Sequence, residues 1–200
     1  MSISLEESPR GWFSVSLRAF IWPFLAVILA AFVARASLVQ AFSIPSGSMT
    51  PTLEPGDFVV VTPFRGPFYG NRPERGDVVV FHAPGDSSRY LIKRIVAVPG
   101  DIVELRSGDV WINGRRVSEP GIPGRGDRKD LSTRILPAGR YFVLGDHREA
   151  SIDSRTWGFL DEARILGKAR IIFWSSHSGA NENGSPVEEV RWSRILRPVR

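Results

Sequence analysis

The stretch that organises this 200-residue chain is IPSGSMTPTL, residues 44–53. Pro45 and Pro51 fix φ and remove two backbone donors, so the stretch suits neither a helix interior nor a central strand. Between them, Ser46 and Ser48 flank a glycine, which lets another chain approach the backbone closely. Two interpretations fit these residues: a Ser/Pro-rich linker that follows an apolar segment, or a loop that presents a reactive hydroxyl.

A lysine in an apolar strand favours the second interpretation. Of the 26 basic residues only three are lysines, so this chain uses arginine wherever plain positive charge is enough. In LIKRIVAVPGD, residues 91–101, a period of two puts Leu91, Lys93 and Ile95 on one face of a strand. Burial on that face lowers the pKa of a lysine, whereas an arginine would stay charged. A buried lysine beside a serine hydroxyl is a general base beside a nucleophile, although a lysine that reaches solvent from a strand edge fits the spacing equally.

Four motifs follow one another along the chain: PSGSMTPTL at 45–53, RGDVVVF at 75–81, IKRIVAVPGD at 92–101 and GDHREASIDSRTWGF at 145–159. In this order they resemble the motifs of the bacterial type I signal peptidases, membrane-bound serine proteases with a Ser/Lys dyad. Any one of them alone is weak evidence, but the ordered set is highly specific. The similarity extends from the apolar segment to Trp174, and VRWSRI at 190–195 continues it.

The resemblance implies a role for individual residues in these motifs. Ser48 would be the nucleophile, and Lys93 the general base that takes its proton and returns it to the leaving amine. The Ser48 backbone N–H and the Ser46 hydroxyl would bind the oxyanion, and Ser151 would orient the lysine amine. No cofactor and no metal are implied. Structural roles are expected for four charged residues: Asp146, Arg148 and the ion pair Asp153–Arg155.

The same resemblance implies the substrate, which is the signal peptide of an exported preprotein cut after small residues at positions −1 and −3. A shallow apolar pocket admits alanine there and excludes larger side chains, and an extended substrate could add as a strand along the edge before Ser48. Membrane lipid and the secretion translocon are the other implied partners. Pocket-lining roles fall on Phe42, Ile44, Pro45, Met49, Leu53, Leu91 and Ile92.

An apolar segment precedes the serine loop. Residues 19–34, AFIWPFLAVILAAFVA, carry no charge, but at about 1.5 Å per residue they cover less than the roughly 30 Å hydrocarbon core. Snorkelling by Arg18 and Arg35, or continuation through Phe42, would complete a span. A buried core helix is one alternative, and a secretory signal cleaved after Ala34-Arg35-Ala36 is another.

These features predict three regions. We expect a short cytoplasmic N-terminus at 1–18, a single-pass transmembrane anchor at 19–42 and a catalytic domain at 43–200. Two arginines precede the apolar segment and one follows it closely, so the positive-inside rule puts the catalytic domain on the outer, periplasmic face of the cytoplasmic membrane.

The catalytic domain is predicted to be mainly β. Short β-branched runs between Gly/Pro turns indicate an antiparallel sheet or a partly open, barrel-like arrangement, with Asn113-Gly114 as a tight hairpin turn. An excursion at 119–137 and a mobile loop at 177–188 are expected from their polar, Gly-rich composition. The predicted strands are 57–62, 77–82, 90–98, 101–106, 110–112, 115–117, 141–144 and, last, 167–174.

Composition excludes several other classes of protein. The chain has no cysteine, so neither a disulfide nor a thiolate metal site is possible. Its net charge of +5 comes from scattered arginines without a recognition helix or motif, so we expect no nucleic-acid partner.

Departures from the signal peptidase pattern keep two alternatives open. His147 stands where the family has asparagine, Glu149-Ala150 replaces Asp-Asn, and Ala97 replaces glycine. His147 or His82 could complete a Ser–His–Asp triad in a membrane-tethered hydrolase. A membrane-anchored, β-rich binding module in which the serine and the lysine are inert is the other alternative.

Overall fold

A computed structural model describes residues 21–29, 39–64, 72–106, 109–117, 131–180 and 186–200 of the chain. The chain divides into two compact units, Met1–Leu38 and Val39–Arg200. In the first unit residues 21–29 are helical and exposed, and the predicted N-terminal region at 1–18 lies outside the described residues. Among the helices in the described ranges, none is both long and apolar enough to cross a membrane.

The second unit is built from two antiparallel sheets, whose strands are numbered here in chain order. The larger sheet holds β1 (Gln40–Ser43), β2 (Asp57–Thr62), β3 (Val78–Ala83), β4 (Asp86–Ala97), β9 (Arg140–Leu144), β10 (Leu160–Asp161), β11 (Ile165–Ala180), β12 (Pro186–Val190) and β13 (Arg197–Pro198). The smaller sheet holds β5 (Ile102–Arg106), β6 (Asp109–Ile112), β7 (Arg115–Arg116) and β8 (Leu131–Ile135). Helical turns lie at Gly47–Met49, Arg148–Ala150, Ser154–Trp157, Glu162–Arg164 and Trp192–Arg194.

The larger sheet is open. Its strands follow the order β1-β2-β11-β3-β4-β9-β10, and β12 and β13 also pair with β11. Because the end strands β1 and β10 do not pair with each other in this order, the described strands do not close a barrel. The prediction of a mainly β, antiparallel domain is confirmed, and the sheet is open rather than a closed barrel.

Burial along the strands explains where the core lies. β2 alternates buried and half-buried residues, as expected for a strand with one face in the core. β3 and the second half of β4 are buried almost throughout because each lies between two neighbouring strands and is covered by side chains on both faces. Lys93 therefore sits in the most enclosed part of the sheet.

Each predicted strand overlaps an observed one. The β6–β7 hairpin turns at Asn113-Gly114, where both residues have positive φ, as a two-residue turn between twisted strands requires. The predicted last strand, 167–174, is part of the longer β11 and is followed by two more strands.

Three segments differ from their predictions. In the expected excursion, residues 131–135 form β8, which pairs with β5. In the expected mobile loop, residues 177–180 pair with β12. The polar composition of the two segments did not predict these strands, because a β-ladder is formed by backbone hydrogen bonds and does not require apolar side chains. The rest of the excursion up to residue 130, and residues 181–185 of the loop, lie outside the described residues.

The predicted anchor also ends too late. Residues 40–42 belong to β1, which pairs with β2 in the register Gln40↔Val61 to Ser43↔Phe58. A membrane helix therefore cannot continue through Phe42, since that residue's backbone is already in a sheet.

A buried charge network joins the C-terminal segment to the loop after the serine. Arg194 donates two hydrogen bonds to the fully buried carboxylate of Asp57, at 3.0 and 2.6 Å, and Ser175 donates a third at 2.7 Å. Burial raises the pKa of Asp57, but the bonds from Arg194, the Glu54 backbone and Ser175 outweigh it and hold that pKa below its ordinary value. The VRWSRI segment is thus a structural part of the domain.

Gly56 lies beside this network, and Gly85, which has nearly the same φ, serves as a comparison for how closely the backbone is packed there. Gly56 has φ +87°, and an added Cβ would overlap the carbonyl of Ser176, whereas Gly85 has φ +86° and open space around it. We expect Gly85→Ala to cost about 1 kcal/mol from backbone strain alone, and Gly56→Ala to cost at least about 2 kcal/mol more because a backbone carbonyl must move. Urea unfolding of both variants measures the difference, and equal losses would contradict the packing described here.

Candidate active site

The loop that carries Ser48 is fixed to the larger sheet. Ser48 lies in the turn Gly47–Met49, and the amide of Ile44 donates to β2 at 2.8 Å just before it. Ile44, Met49 and Leu53 are buried together in one hydrophobic cluster. A linker would not bury three large side chains, so the linker interpretation is wrong.

Lys93 faces Ser48. Its Nζ donates to Ser48 Oγ at 2.7 Å and to the backbone carbonyl of Ile92 at 2.8 Å. The residue is 3% exposed, so it does not reach solvent from a strand edge. Burial lowers the pKa of Lys93 to about 8, while the nearby carboxylates of Asp153 and Asp146 oppose that shift without cancelling it. A large share of this amine is neutral at mildly alkaline pH, as a general base requires.

The two carboxylates near Lys93 are each neutralised by an arginine. Asp146 accepts two hydrogen bonds from Arg94, at 2.8 and 2.6 Å, and both side chains are buried. Asp153 accepts two from Arg155, both at 2.8 Å, and is likewise buried. Bidentate pairing satisfies the buried carboxylates, and breaking either pair would leave an uncompensated charge in the core.

Arg94 was missed by the sequence analysis. It follows Lys93 on β4, so the period of two sends its side chain to the opposite face of the strand. There it also donates to the carbonyl of Gly76 at 2.9 Å and to the hydroxyl of Thr52 at 3.2 Å. A second basic residue next to the lysine, in the apolar second half of β4, was the sequence feature that could have indicated this role.

The hydroxyl of Ser151, expected to orient the lysine, is buried without a hydrogen-bond partner in the described part of the chain. The second acceptor for the Lys93 amine is instead the Ile92 carbonyl. Ser151 lies against Gly145, and a side chain at Gly145 would collide with both Ser151 and the Ser48 carbonyl. Gly145, also missed from sequence, is required by this close approach.

Arg148 and Arg155 tie the same segment together. Arg148 Nε donates to the carbonyl of Gly145 at 3.1 Å, and Arg155 donates to the carbonyl of Arg148 at 2.6 Å. These contacts stay within the segment from Gly145 to Arg155 and hold its backbone.

Ser46 lies beside the nucleophile candidate but is more exposed. Its Oγ is 3.4 Å from Ser48 Oγ, a long contact in which either hydroxyl could donate. Ser46 directly precedes the turn Gly47–Met49, so its hydroxyl and the backbone N–H of Ser48 belong to the same loop.

A cavity of about 300 Å³ opens beside the two reactive groups. Its rim carries an edge-to-face contact between the rings of Phe42 and Tyr90, whose centroids are 5.4 Å apart. Five of the seven predicted pocket residues line it: Phe42, Ile44, Pro45, Leu91 and Ile92. Met49 and Leu53 do not line the cavity, because both are fully buried in the core beneath the loop. The prediction that these two residues line the pocket is therefore wrong. Val80, Arg89 and Tyr90 are lining residues that the sequence analysis missed.

The described contacts give no support to a histidine triad. The side-chain partners of the Ser48 hydroxyl in the described residues are Lys93 and Ser46. His82 is bonded through its ring to the Ser87 carbonyl at 2.7 Å, and His147 meets Ser48 through its backbone N–H, 3.1 Å from the Ser48 carbonyl oxygen.

Comparisons with known proteins point in one direction. The family described as signal peptidase, peptidase S26, matches residues 17–174. Signal peptidase I of Pseudomonas fluorescens is 35% identical, and the match covers 76% of this chain and 70% of that protein. Signal peptidase IB of Staphylococcus aureus strain Mu50 is 36% identical over 160 residues, covering 72% of this chain and 82% of that protein. A crystal structure of a signal peptidase I from Enterococcus faecalis V583 is 31% identical, covers 49% of this chain and 97% of that chain, and has a TM-score of 0.43.

The cost of burying Lys93 can be measured. Because its pKa falls from 10.5 to about 8, the unfolded chain binds more protons between those values, and wild-type stability rises with pH through that window. Below pH 8 the buried amine is mostly charged, so its burial destabilises the folded state by the full amount. We therefore expect the free energy of unfolding of Lys93→Met at pH 7 to exceed that of wild type by roughly 1–3 kcal/mol.

The gain should shrink as the pH approaches 10.5, as urea unfolding at pH 7 and pH 10 would show. Lys168→Met is the matched control, because Lys168 is partly exposed and ion-paired with Asp77 and should gain nothing. A Lys93→Met variant less stable than wild type at pH 7 would show that burial of the amine does not destabilise the folded protein.

Proposed function

This chain belongs to the signal peptidase family, peptidase S26, and from that premise we propose that Ser48 and Lys93 carry out its reaction. The protein is a serine peptidase that removes signal peptides from preproteins. The observation that carries the assignment is the 2.7 Å contact between the buried Lys93 amine and the Ser48 hydroxyl.

In the acylation step, neutral Lys93 accepts the hydroxyl proton as Ser48 Oγ attacks the carbonyl carbon before the scissile bond. With a pKa of about 8, about one tenth of the amine is neutral at pH 7 and about half at pH 8, against less than about a thousandth for an ordinary lysine at pH 7. The tetrahedral intermediate collapses when the C–N bond breaks, and the Lys93 ammonium gives its proton to the leaving amine. The mature protein departs and the signal peptide remains as an ester on Ser48.

In the deacylation step, Lys93 accepts a proton from water as the water oxygen attacks the ester carbonyl. The ammonium then returns this proton to Ser48 Oγ as the ester bond breaks, which restores the starting state. In both steps we assign stabilisation of the oxyanion to the Ser48 backbone N–H and the Ser46 hydroxyl.

The surrounding segment has a supporting role in the proposal. Asp146, Arg148, Asp153 and Arg155 hold the backbone behind the dyad through buried ion pairs and part-buried hydrogen bonds to the backbone. Ser151 is retained as the orienting group on the resemblance, and its buried Oγ, which has no partner within the described residues, leaves a hydrogen bond available for the neutral amine.

Two free strand edges support the binding mode proposed for the substrate. β1 pairs only with β2, and β4 pairs only with β3 over residues 86–93, within the described part of the sheet. Both strands run toward the dyad, and the cavity lies between Phe42–Ser46 and Arg89–Lys93. A signal peptide in extended form can bond to these edges and place its −1 and −3 side chains in the cavity.

Membrane attachment forms a further part of the proposal. The charge-free stretch at 19–34 is assigned as a single-pass anchor in the cytoplasmic membrane, with the catalytic domain on the outer face. Residues 21–29 are helical with exposed apolar side chains, and Trp192 on the catalytic domain is 74% exposed, as suits contact with lipid headgroups. The secretion translocon, which delivers the substrate to this face, is the remaining proposed partner.

Substitution of the base tests the dyad. Lys93→Arg keeps a positive charge and a long side chain but cannot supply a neutral amine, so kcat/KM should fall by at least about 10³-fold, as in Ser48→Ala. The wild-type profile of kcat/KM should rise with pH through an apparent pKa of about 8. Cleavage of a purified preprotein by detergent-solubilised enzyme provides the measurement.

The matched control combines His82→Ala, His147→Ala and His177→Ala in one protein, which should keep substantial activity because no imidazole takes part in the proton transfer. An active Lys93→Arg enzyme together with a folded but inactive triple-histidine variant would assign the base to a histidine instead.

The pocket predicts specificity. A preprotein with alanine at −1 and −3 should be cut. Replacement of the −1 alanine by phenylalanine should lower kcat/KM by about 100-fold or more, because the larger ring would require the packed side chains that line the cavity to move. Competition between the two precursors gives the ratio directly, and comparable rates would refute the small apolar pocket.

Topology is tested by fractionation. The protein should remain with membranes after alkaline carbonate extraction, and a tag fused at residue 200 should be digested by protease added outside the cytoplasmic membrane. A protected tag would reverse the orientation, and a mature chain that begins at Ser37 would favour the cleaved-signal alternative.

A further inference from the structure

The cavity beside Ser48 is lined by two basic side chains and by no acid in the described part of the chain. Lys93 lies next to the nucleophile, and Arg89 lies four residues earlier on β4, near Phe42 and Tyr90. The described residues that line the cavity include no Asp and no Glu. An apolar cavity with charges of one sign attracts ligand groups of the opposite sign and repels those of the same sign.

The guanidinium of Arg89 is available to a ligand. It is exposed, and within the described residues it makes neither a hydrogen bond nor an ion pair. Asp86 is near enough to interact electrostatically with Arg89. Its carboxylate, however, accepts hydrogen bonds from Ser88, through the hydroxyl at 2.6 Å and the backbone N–H at 3.0 Å. These bonds from Ser88, and to a smaller degree the charge of Arg89, lower the pKa of Asp86, so that carboxylate stays ionised but is bound within its own turn.

The strand geometry relates Arg89 to a particular substrate residue. When the −1 residue lies at Ser48 beside Lys93, a peptide parallel to β4 advances one residue for each residue of the strand. Residues 90–93 pair regularly with β3, and Arg89 lies just beyond them, where the register shifts between His82 and Ala83. At about 3.3 Å per residue, Arg89 is therefore at most about 13 Å from Lys93 along the strand, which corresponds to substrate position −5. Side chains at −1, −3 and −5 share one face of an extended peptide, so the −5 side chain points toward the cavity wall as the other two do.

We propose that Arg89 forms a charge-selective subsite that favours an acidic side chain, and disfavours a basic one, at substrate position −5. This specificity is additional to the small-residue rule at −1 and −3, and it rests on the proposed function because it takes its register from Ser48 as nucleophile. An exposed charge pair contributes little, so the expected effect is a preference of about 2- to 5-fold rather than an absolute requirement.

The experiment uses the full chain in detergent and a set of precursors that differ at one position. Glu, Gln or Lys is placed at −5, and separately at −4 and −6, whose side chains lie on the opposite face of an extended peptide. With wild-type enzyme, kcat/KM should decrease in the order Glu, Gln, Lys at −5, and the same order at −4 or −6 instead would contradict the proposed register. The order should disappear in Arg89→Gln and reverse in Arg89→Glu, and its range should shrink in high salt because exposed charges are screened.

Arg115→Gln is the matched control, since it removes one exposed arginine from β7 in the smaller sheet and should leave the wild-type order intact. The same order in wild type and Arg89→Glu, or equal rates for all charges, would overturn the subsite while leaving the dyad standing. No cleavage of any precursor by wild type would refute the proposed function itself, and the subsite with it.

Discussion

The structure depends on a lysine amine that has been removed from water and held 2.7 Å from a serine hydroxyl. Burial of Lys93 makes the neutral form accessible, and only the neutral form can accept the serine proton. The placement requires a central strand covered on both faces, which β3 and the second half of β4 provide. Ser48, the proposed nucleophile, lies in contrast in a short turn whose neighbouring side chains are inserted into the core beneath it.

The charges around the amine show how a favourable pKa is kept. Asp146 and Asp153 are close enough to stabilise the ammonium form, which would work against a general base. Each is paired with its own arginine, Arg94 or Arg155, in a buried bidentate contact. Because the arginines offset the carboxylates, desolvation remains the dominant influence on Lys93. In the proposed mechanism, the two ion pairs therefore keep the Lys93 amine available as a base without being catalytic residues themselves.

Sequence alone predicted the parts that are governed by local pattern. The alternation around Lys93 and the β-branched runs follow from a period of two, and the Asn113-Gly114 turn follows from its backbone requirement. Contacts between distant segments were not accessible in this way. The partner of Asp146 is Arg94, 52 residues away, and the need for Gly145 appears only when Ser48 and Ser151 approach it. The pocket assignments of Met49 and Leu53 failed for the same reason, since a motif indicates which residues lie near a site but not which face of the loop they occupy.

The contacts of Arg94 have a consequence for how this domain opens. One guanidinium bonds to Thr52 after the serine loop, to Gly76 before β3, to Asp146 after β9 and to the carbonyl of Arg200. Arg194 connects the same C-terminal segment to Asp57, at the start of β2. The loop with Ser48 and the strand with Lys93 cannot separate unless these shared contacts break together. In native-state hydrogen exchange, the loop and the strand therefore belong to one cooperative unit, so the backbone amides of both should become exposed in the same opening event.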